Sequence, residues 1–408
     1  MDDGRETEAS GEDTLLDGDA YREREREATR TMSRAGHIRS GSRSGVEQEE
    51  VVSREIDIVG AGLAGLVAGI NLAGQGFKVR IFEAKSTIGG DTSFADATLM
   101  YPAGLEKELG VSIREALETW KSARIFAYGK RFEVALPRLT EAYTVERGKG
   151  ELSLENVLYR QALEKGVEVV LGRKLSAREI SDLPPGTIIA TGLTRSSFEL
   201  FHIPHRPFHG HMATGSSDPS RPQVIVYFDR FTREYGYYAQ CGPSSVALVF
   251  RMDRPLLDEE KLAFRTKLSD DNGIEMDGWN DDISGWAVWP LRSWNNRNLF
   301  SQGKILAGTL AGVVSPVLNF GVNGALVSGR IAAVAVTDQD AARREFSRLA
   351  PLHLPQFVFR RFREHAPIPL LKLGTRAILS TYGPGGFHHL LSFALWPPGL
   401  RRSQNIGT

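Results

Sequence analysis

Glu55-Ile56-Asp57-Ile58-Val59-Gly60-Ala61-Gly62-Leu63-Ala64-Gly65 is the stretch that decides the fold. Glu55 to Val59 is a short β-branched run of the kind found in buried parallel strands. Glycines follow at once in the spacing Gly60-x-Gly62-x-x-Gly65. LAGLVAGINLAGQG then shows helical spacing of apolar and small residues and stops at Gly74 and Gly76. A second strand, Phe77 to Phe82, ends on Glu83. Each glycine has its own task in such a unit. Gly60 allows the tight turn, Gly62 lets the backbone approach a pyrophosphate, and Gly65 permits close packing of helix on strand. The helix N-terminus offers free N–H groups and partial positive charge to the phosphates. Glu83 is placed to accept hydrogen bonds from ribose hydroxyls and would repel a 2′-phosphate, which disfavours NADP. The glycine spacing alone is a weak signal; strand, helix and terminal acid around it specify a dinucleotide site.

Composition narrows the rest. The chain has 408 residues, 41% apolar and 25% charged, the balance of a globular protein with two or three domains. Its formal net charge is zero, which gives no reason to expect a nucleic-acid partner. The single cysteine, Cys241, excludes an internal disulfide, a dithiol redox pair and a cysteine metal cage, and reads as a small buried hydrophobe. Residues 1–52 are dense in charge, glycine and serine and nearly free of large apolar groups, so they are expected to be disordered. They contain no apolar leader, and the expected location is the cytoplasm. Between Lys304 and Arg330 no charge occurs, but Pro316, Asn319, Asn323 and the glycines there break the run into strand, loop and helix rather than a membrane span.

Three further segments bear on which dinucleotide is held. Glu83 is followed by Ala84-Lys85-Ser86-Thr87-Ile88-Gly89-Gly90; Thr187 to Gly192 is a strand ending in Ala190-Thr191-Gly192; Lys304 to Thr309 is a strand followed by Pro316, Gly321, Val322, Asn323 and the run SGRIAA. In this order the chain resembles the FAD-dependent oxidoreductases of the glutathione-reductase-type superfamily, in particular the geranylgeranyl reductase and aromatic hydroxylase branch, over roughly residues 54–336. The resemblance implies an α/β fold: a Rossmann-like FAD-binding domain, an inserted antiparallel β-sheet substrate domain and a helical C-terminal region. It implies FAD held by Gly60, Ala61, Gly62, Leu63, Ala64, Gly65, Glu83, Ala84, Gly89, Gly90, Thr191, Gly192, Gly308, Thr309, Pro316, Gly321, Val322 and Asn323. The last helix would aim its N-terminus at the flavin. That branch places an arginine before a helix like LSLENVLYRQALEKG, and Arg147 matches it. It usually carries Gly-Asp where this chain has Gly308-Thr309, so a threonine hydroxyl stands where a charge is expected. GVNGALVSGRIAA is equally similar to the amine-oxidase and phytoene-desaturase branch.

Between Gly192 and Lys304 the pattern turns to short alternating runs, Gln223–Phe228, Tyr235–Ala239 and Val246–Phe250, separated by turn residues such as Gly242-Pro243-Ser244 and Asp270-Asp271-Asn272-Gly273. The segment is rich in aromatics, which pack a sheet or wall an apolar pocket. Gly285-Trp286-Ala287-Val288-Trp289-Pro290 stands where related reductases enter the flavin site, so Trp286, Trp289 and Pro290 are candidate pocket residues. His202, His205, His209 and His211 cluster, but Pro204 and Pro207 make the stretch irregular and no local acid or cysteine supports a metal; none is expected. The domain reading is 53–115, 145–200 and 300–340 for FAD, 116–144 and 201–299 for substrate, and 341–408 as a helical lid or peripheral membrane contact.

The expected activity is FAD-dependent oxidoreduction of a small apolar substrate, of isoprenoid type, with hydride moving through flavin N5. Only one dinucleotide fingerprint occurs, so electrons would come from transiently bound NAD(P)H, a reduced carrier protein or the substrate itself. The alternatives are a flavin monooxygenase, a desaturase-like dehydrogenase, and a binding protein that kept the fold without catalysis. The sequence names no catalytic residue.

Overall fold

A computed structural model describes residues 54–99, 102–119, 122–135, 142–221, 223–288 and 298–381. The expected disordered segment 1–52, the candidates Trp289 and Pro290, and the end of the C-terminal region lie outside the described residues. Along the chain, β1 (Glu55–Val59), α1 (Leu63–Gly74) and β2 (Lys78–Phe82) lead to β3 (Ser93–Leu99), α2 (Pro102–Leu109) and β4 (Leu117–Thr119). Then come β5 (Ser122–Ala127), β6 (Lys130–Ala135), β7 (Ala142–Gly148), α3 (Leu154–Glu164) and β8 (Glu168–Val170). Next are α4 (Ala177–Asp182), β9 (Ile188–Ile189), α5 (Arg195–Leu200) and β10 (His205–Ser216). These are followed by β11 (Val224–Phe228), β12 (Gly236–Cys241), β13 (Ser244–Arg251), α6 (Asp258–Asn272) and β14 (Asn280–Val288). Last come β15 (Phe300–Ser301), β16 (Lys304–Leu306), α7 (Val322–Thr337), α8 (Gln339–Ser347), α9 (Ala350–His365) and α10 (Ile368–Thr381).

Three sheets result. The first has the order β15-β16-β9-β1-β2-β8 and is parallel apart from β15. This is the Rossmann-like α/β layer. α1 covers it with Leu66, Val67, Ala68 and Leu72 wholly buried, the two leucines each contributing about 1.5–3 kcal/mol by their removal from water. α7 lies against α1 so closely that a Cβ on Gly329 would stand 2.4 Å from the Ala64 carbonyl oxygen. The second sheet, β14-β10-β13-β12-β11-β5-β6, is antiparallel except for the parallel pair β11 and β5. Strand alternation gives it two unlike faces. Tyr227, Tyr238, Ala247 and Val249 pack on Phe264 and Leu268 of α6, while Tyr237, Leu248 and Phe250 line a cavity. A small third sheet, β3-β7-β4, lies beside them.

Two local expectations are corrected. Asp270 to Gly273 is the last turn of α6 and its left-handed cap, Gly273 at φ +64°, rather than a turn between strands. The acidic start of DEEKLAFRTKLSDDN suits a helix N-terminus, and only Phe264, Leu268 and Glu260 are buried, so the apolar periodicity is faint. The histidine-rich stretch is regular from His205 onward, forming the long strand β10. Pro207 is tolerated because there β10 pairs only with β14; its pairing with β13 begins at His209. Among the described residues no helix is long and apolar enough to cross a membrane.

Candidate functional site

The glycine turn has the geometry its sequence demands. Gly60 is at φ +104°, and a Cβ there would lie 2.4 Å from the Ala190 carbonyl oxygen. A Cβ on Gly65 would lie 1.9 Å from the Gly60 oxygen, so helix and strand meet backbone to backbone. Around Gly62 there is nothing within 4 Å, and Gly62 lines the open side. Glu83 leaves β2 and turns back onto this loop: its Oε2 accepts from the Ala61 N–H at 2.7 Å and its Oε1 from the Lys85 N–H at 2.9 Å. Each carboxylate oxygen keeps a lone pair for a further donor. Ala84 is exposed beside it. Gly89 and Gly90 adopt φ +75° and +83°, with Gly89 pressed on the Gly148 carbonyl.

From Gly62 a cavity of about 440 Å³ runs between the layers. On the Rossmann side its wall is Leu63, Ala64, Gly192, Gly308 and Thr309, and Gly321 and Val322 line it as well. Those two residues begin α7, and no side chain caps it, just as none caps α1 at Gly62. Two helix N-termini, neither with an N-cap side-chain bond, therefore turn their partial positive charge toward one cavity. The second sheet closes it with Phe208, Tyr237, Leu248, Phe250 and Trp286. Trp286 is fixed by the Arg195 guanidinium 4.5 Å from its ring centroid and by the edge of His205 at 5.1 Å.

Arg147 lies in the cavity wall rather than on the outer surface. Its guanidinium pairs with Glu155 at 2.6 Å and with Asp96 at 3.8 Å. Burial works to lower its pKa, but the two carboxylates outweigh that and hold it above the usual arginine value. Thr191 bonds Ser197 through its hydroxyl at 2.8 Å, Asn323 is buried facing Thr98, and Pro316 is buried behind the cavity wall with its carbonyl bound by Arg360 at 2.9 Å. These three support the site without lining the cavity. Gly60, Ala61, Gly65 and Glu83 shape the glycine turn beside Gly62, while Gly89 and Gly90 belong to the loop after β2, against Gly148 and Lys85. His205 and His211 serve in aromatic stacks, and among the described residues no group of three histidine, cysteine or acidic side chains could hold a metal.

Several site residues escape a linear reading. Asp96, Phe94 and Tyr235 line the cavity, as do Leu318 and Phe320. The one signal for Asp96 is an acid in the middle of the strand-like SFADATL, on the same ladder face as Arg147. A second missed feature is the ion-pair cluster on α9, a helix of the expected helical C-terminal region: its wholly buried Arg360 binds Glu234 at 2.7 Å, Glu364 at 2.8 Å and Asn319 Oδ1 at 2.7 Å. Arg363 adds a second contact to Glu234 and Arg206 one to Glu364. The inner side of α9 is thus pinned over the cavity loop, while Val358 and Phe362 of α9 and Leu370 and Leu373 of α10 are exposed.

Comparison with known proteins agrees with this architecture. Residues 58–114 match the family model of the NAD(P)-binding Rossmann-like domain. No curated protein sequence is similar enough to match. Among solved structures, a geranylgeranyl bacteriochlorophyll reductase-like protein from Thermoplasma acidophilum superposes with a TM-score of 0.60 at 14% identity, over 86% of this chain and 99% of that one. The p-nitrophenol 4-monooxygenase of Pseudomonas putida gives 0.56 at 13% identity, over 83% and 97%. A 2-methyl-3-hydroxypyridine-5-carboxylic acid oxygenase gives 0.52 at 15%, over 79% and 95%. The chain has the fold of these proteins, the branch that its motifs resemble.

Proposed function

We propose that this chain is an FAD-dependent oxidoreductase acting on an apolar substrate. One observation carries the reading: a single cavity joins the open backbone at Gly62 to the uncapped N-terminus of α7 and to the aromatic face of the second sheet. A dinucleotide fits those residues. Gly62 and the start of α1 would receive its pyrophosphate, Glu83 its ribose hydroxyls, and Gly321 and Val322 the electron-rich edge of its flavin. Bound there, FAD would supply a two-electron carrier that exchanges hydride with substrate or donor. Thr309 reaches the same wall and offers a hydroxyl to the ribityl chain without a charge. Phe208, Leu248, Phe250, Met252 and Phe320 give the same cavity an apolar lining that would keep water from a bound substrate. That lining supports an apolar substrate, and the reductase-like neighbour supports an isoprenoid one.

The purified protein is expected to be yellow, or to become so on addition of FAD. Anaerobic bleaching by NADH, NADPH or a reduced carrier protein would identify the donor. A colourless protein that FAD cannot load would refute the reading. The monooxygenase neighbours favour a second one, in which turnover consumes oxygen; an oxygen electrode separates the two.

A further inference from the structure

One carboxyl in the cavity is not needed to hold a dinucleotide. Asp96 sits in the middle of β3, opposite Val145 of β7, with Phe94 opposite Arg147; Asp96 and Arg147 therefore share a face of the ladder. Of the described residues that line the cavity it is the only carboxylate. Its side chain keeps 20% of its surface open, facing that cavity.

The charges around it are unevenly shared. Arg147 of β7 stands 3.8 Å from Asp96 but 2.6 Å from Glu155 of α3, so the guanidinium is committed first to Glu155. The Ala97 N–H donates to Asp96 Oδ1 at 3.1 Å. Tyr237 of β12 and Tyr235 just before that strand approach; the Tyr235 hydroxyl is spent on the Leu318 carbonyl at 2.6 Å. Phe94, Leu248 and Phe250 complete the surroundings. Burial is the largest influence and pushes the Asp96 carboxyl up to about 6; Arg147 and the Ala97 N–H pull it down, and Glu155 pushes it up. Both tyrosines are held above their usual range by burial and remain protonated. A carboxyl that titrates near neutrality in a cavity is equipped to exchange protons there.

We propose that Asp96 is the proton-exchanging residue of this site. The assignment rests on the oxidoreductase reading. In reduction of a carbon–carbon double bond, a reduced flavin bound there would supply hydride, with its electron pair, for one new C–H bond, and the pair of the broken π bond would pass to the other carbon. Asp96 donates its carboxyl proton to the other carbon, which holds the displaced electron pair. The products are the saturated substrate, the oxidised flavin and the Asp96 carboxylate, which is reprotonated from water while NAD(P)H or a reduced carrier restores the flavin.

The test needs no substrate. Infrared difference spectra of the protein without flavin should show a carboxylic acid C=O band that titrates at about pH 6. Asp96→Asn should remove that band and Asp96→Glu should restore one. In FAD-loaded protein at about neutral pH, flavin reduction adds negative charge to the cavity. Wild type and Asp96→Glu should then take up roughly one more proton per flavin than Asp96→Asn. A band that forms only in the ordinary aspartate range, or equal proton uptake by all three loaded proteins, would overturn the assignment alone. Failure of wild type to load FAD would overturn the oxidoreductase reading and the assignment with it.

Discussion

Replacing Gly62 and Gly65 by alanine should affect folding and cofactor binding in different proportions. In Gly65→Ala the new Cβ would stand 1.9 Å from the Gly60 carbonyl oxygen, a backbone atom that cannot swing aside. Relief needs a shift of roughly 1 Å in the turn, and overpacking of that kind costs about 1–3 kcal/mol. Because the clash is with backbone the cost lies at the upper end of that range, and after alanine returns ~1 kcal/mol through helix propensity a net loss of about 2 kcal/mol remains. Gly62 is different: at φ −78° and ψ −177° it is in a conformation alanine adopts freely, and nothing lies within 4 Å. Gly62→Ala should therefore leave the flavin-free protein within about 1 kcal/mol of wild type, the reduced entropy of the unfolded chain being offset by a poorer N-cap on α1. Its methyl instead fills the space kept for the pyrophosphate, and FAD affinity should fall about 10- to 100-fold, ~1.4–2.8 kcal/mol. Thermal unfolding without FAD and an FAD titration followed in the visible spectrum measure the two quantities separately. Wild-type FAD affinity in Gly62→Ala, or wild-type stability in Gly65→Ala, would show that the turn is not a cofactor cradle of this design.

Other expectations follow from the same geometry. Glu83→Ala removes the acceptor for the Ala61 N–H and for the ribose, so FAD should bind about 10-fold or more weakly while the fold survives; unchanged affinity in a titration would contradict the role given to Glu83. Arg360→Leu leaves the buried Glu234 with Arg363 alone and takes the donor from the Pro316 carbonyl and Asn319 Oδ1, so it should cost up to about 3–5 kcal/mol in denaturant unfolding; a loss below about 1 kcal/mol would mean that the pair acts as a surface ion pair. For Glu364, burial pushes its pKa up, but Arg360 and Arg206 together bring it below the ordinary glutamate value of 4.5. Its stabilising contribution is thus complete above that value and is lost as pH falls through the lowered one. Glu364→Gln should lessen the acid destabilisation measured by thermal melts across that range. Burial raises the Cys241 thiol to about 11, so alkylation at neutral pH should proceed only as the protein unfolds; rapid labelling of the native protein would disprove its burial.

The parts that were legible in the sequence are those whose physics is local. The Gly60–Gly65 turn, the helix after it and Glu83 lie within 30 residues, and each glycine's task can be inferred from chain geometry alone. Asp96 was not legible, because its importance depends on the register of β3 with β7 and on a sheet formed by residues more than a hundred positions away. Pro207 suggested irregularity because proline is costly in a central strand, and nothing local reveals that β13 pairs only from His209 onward. α6 was hidden by its mostly exposed surface, which leaves too few apolar residues to mark a helical period.

The Arg360 clamp has a consequence for how the protein is made. The loop at Pro316–Asn319 borders the cavity, and Asn319 is held there at φ +54°, a conformation uncommon outside glycine. Its anchor lies 41 residues later, on α9, so during translation the nucleotide-binding turn is complete long before the loop is secured. On the proposed reading, a nascent chain would grip one end of a dinucleotide before it could order the other. A ribosome-bound fragment ending before Arg360 should bind adenosine nucleotides yet hold the isoalloxazine loosely. Late acquisition of the clamp would make the last helices a checkpoint that lets only finished chains become competent holoenzyme.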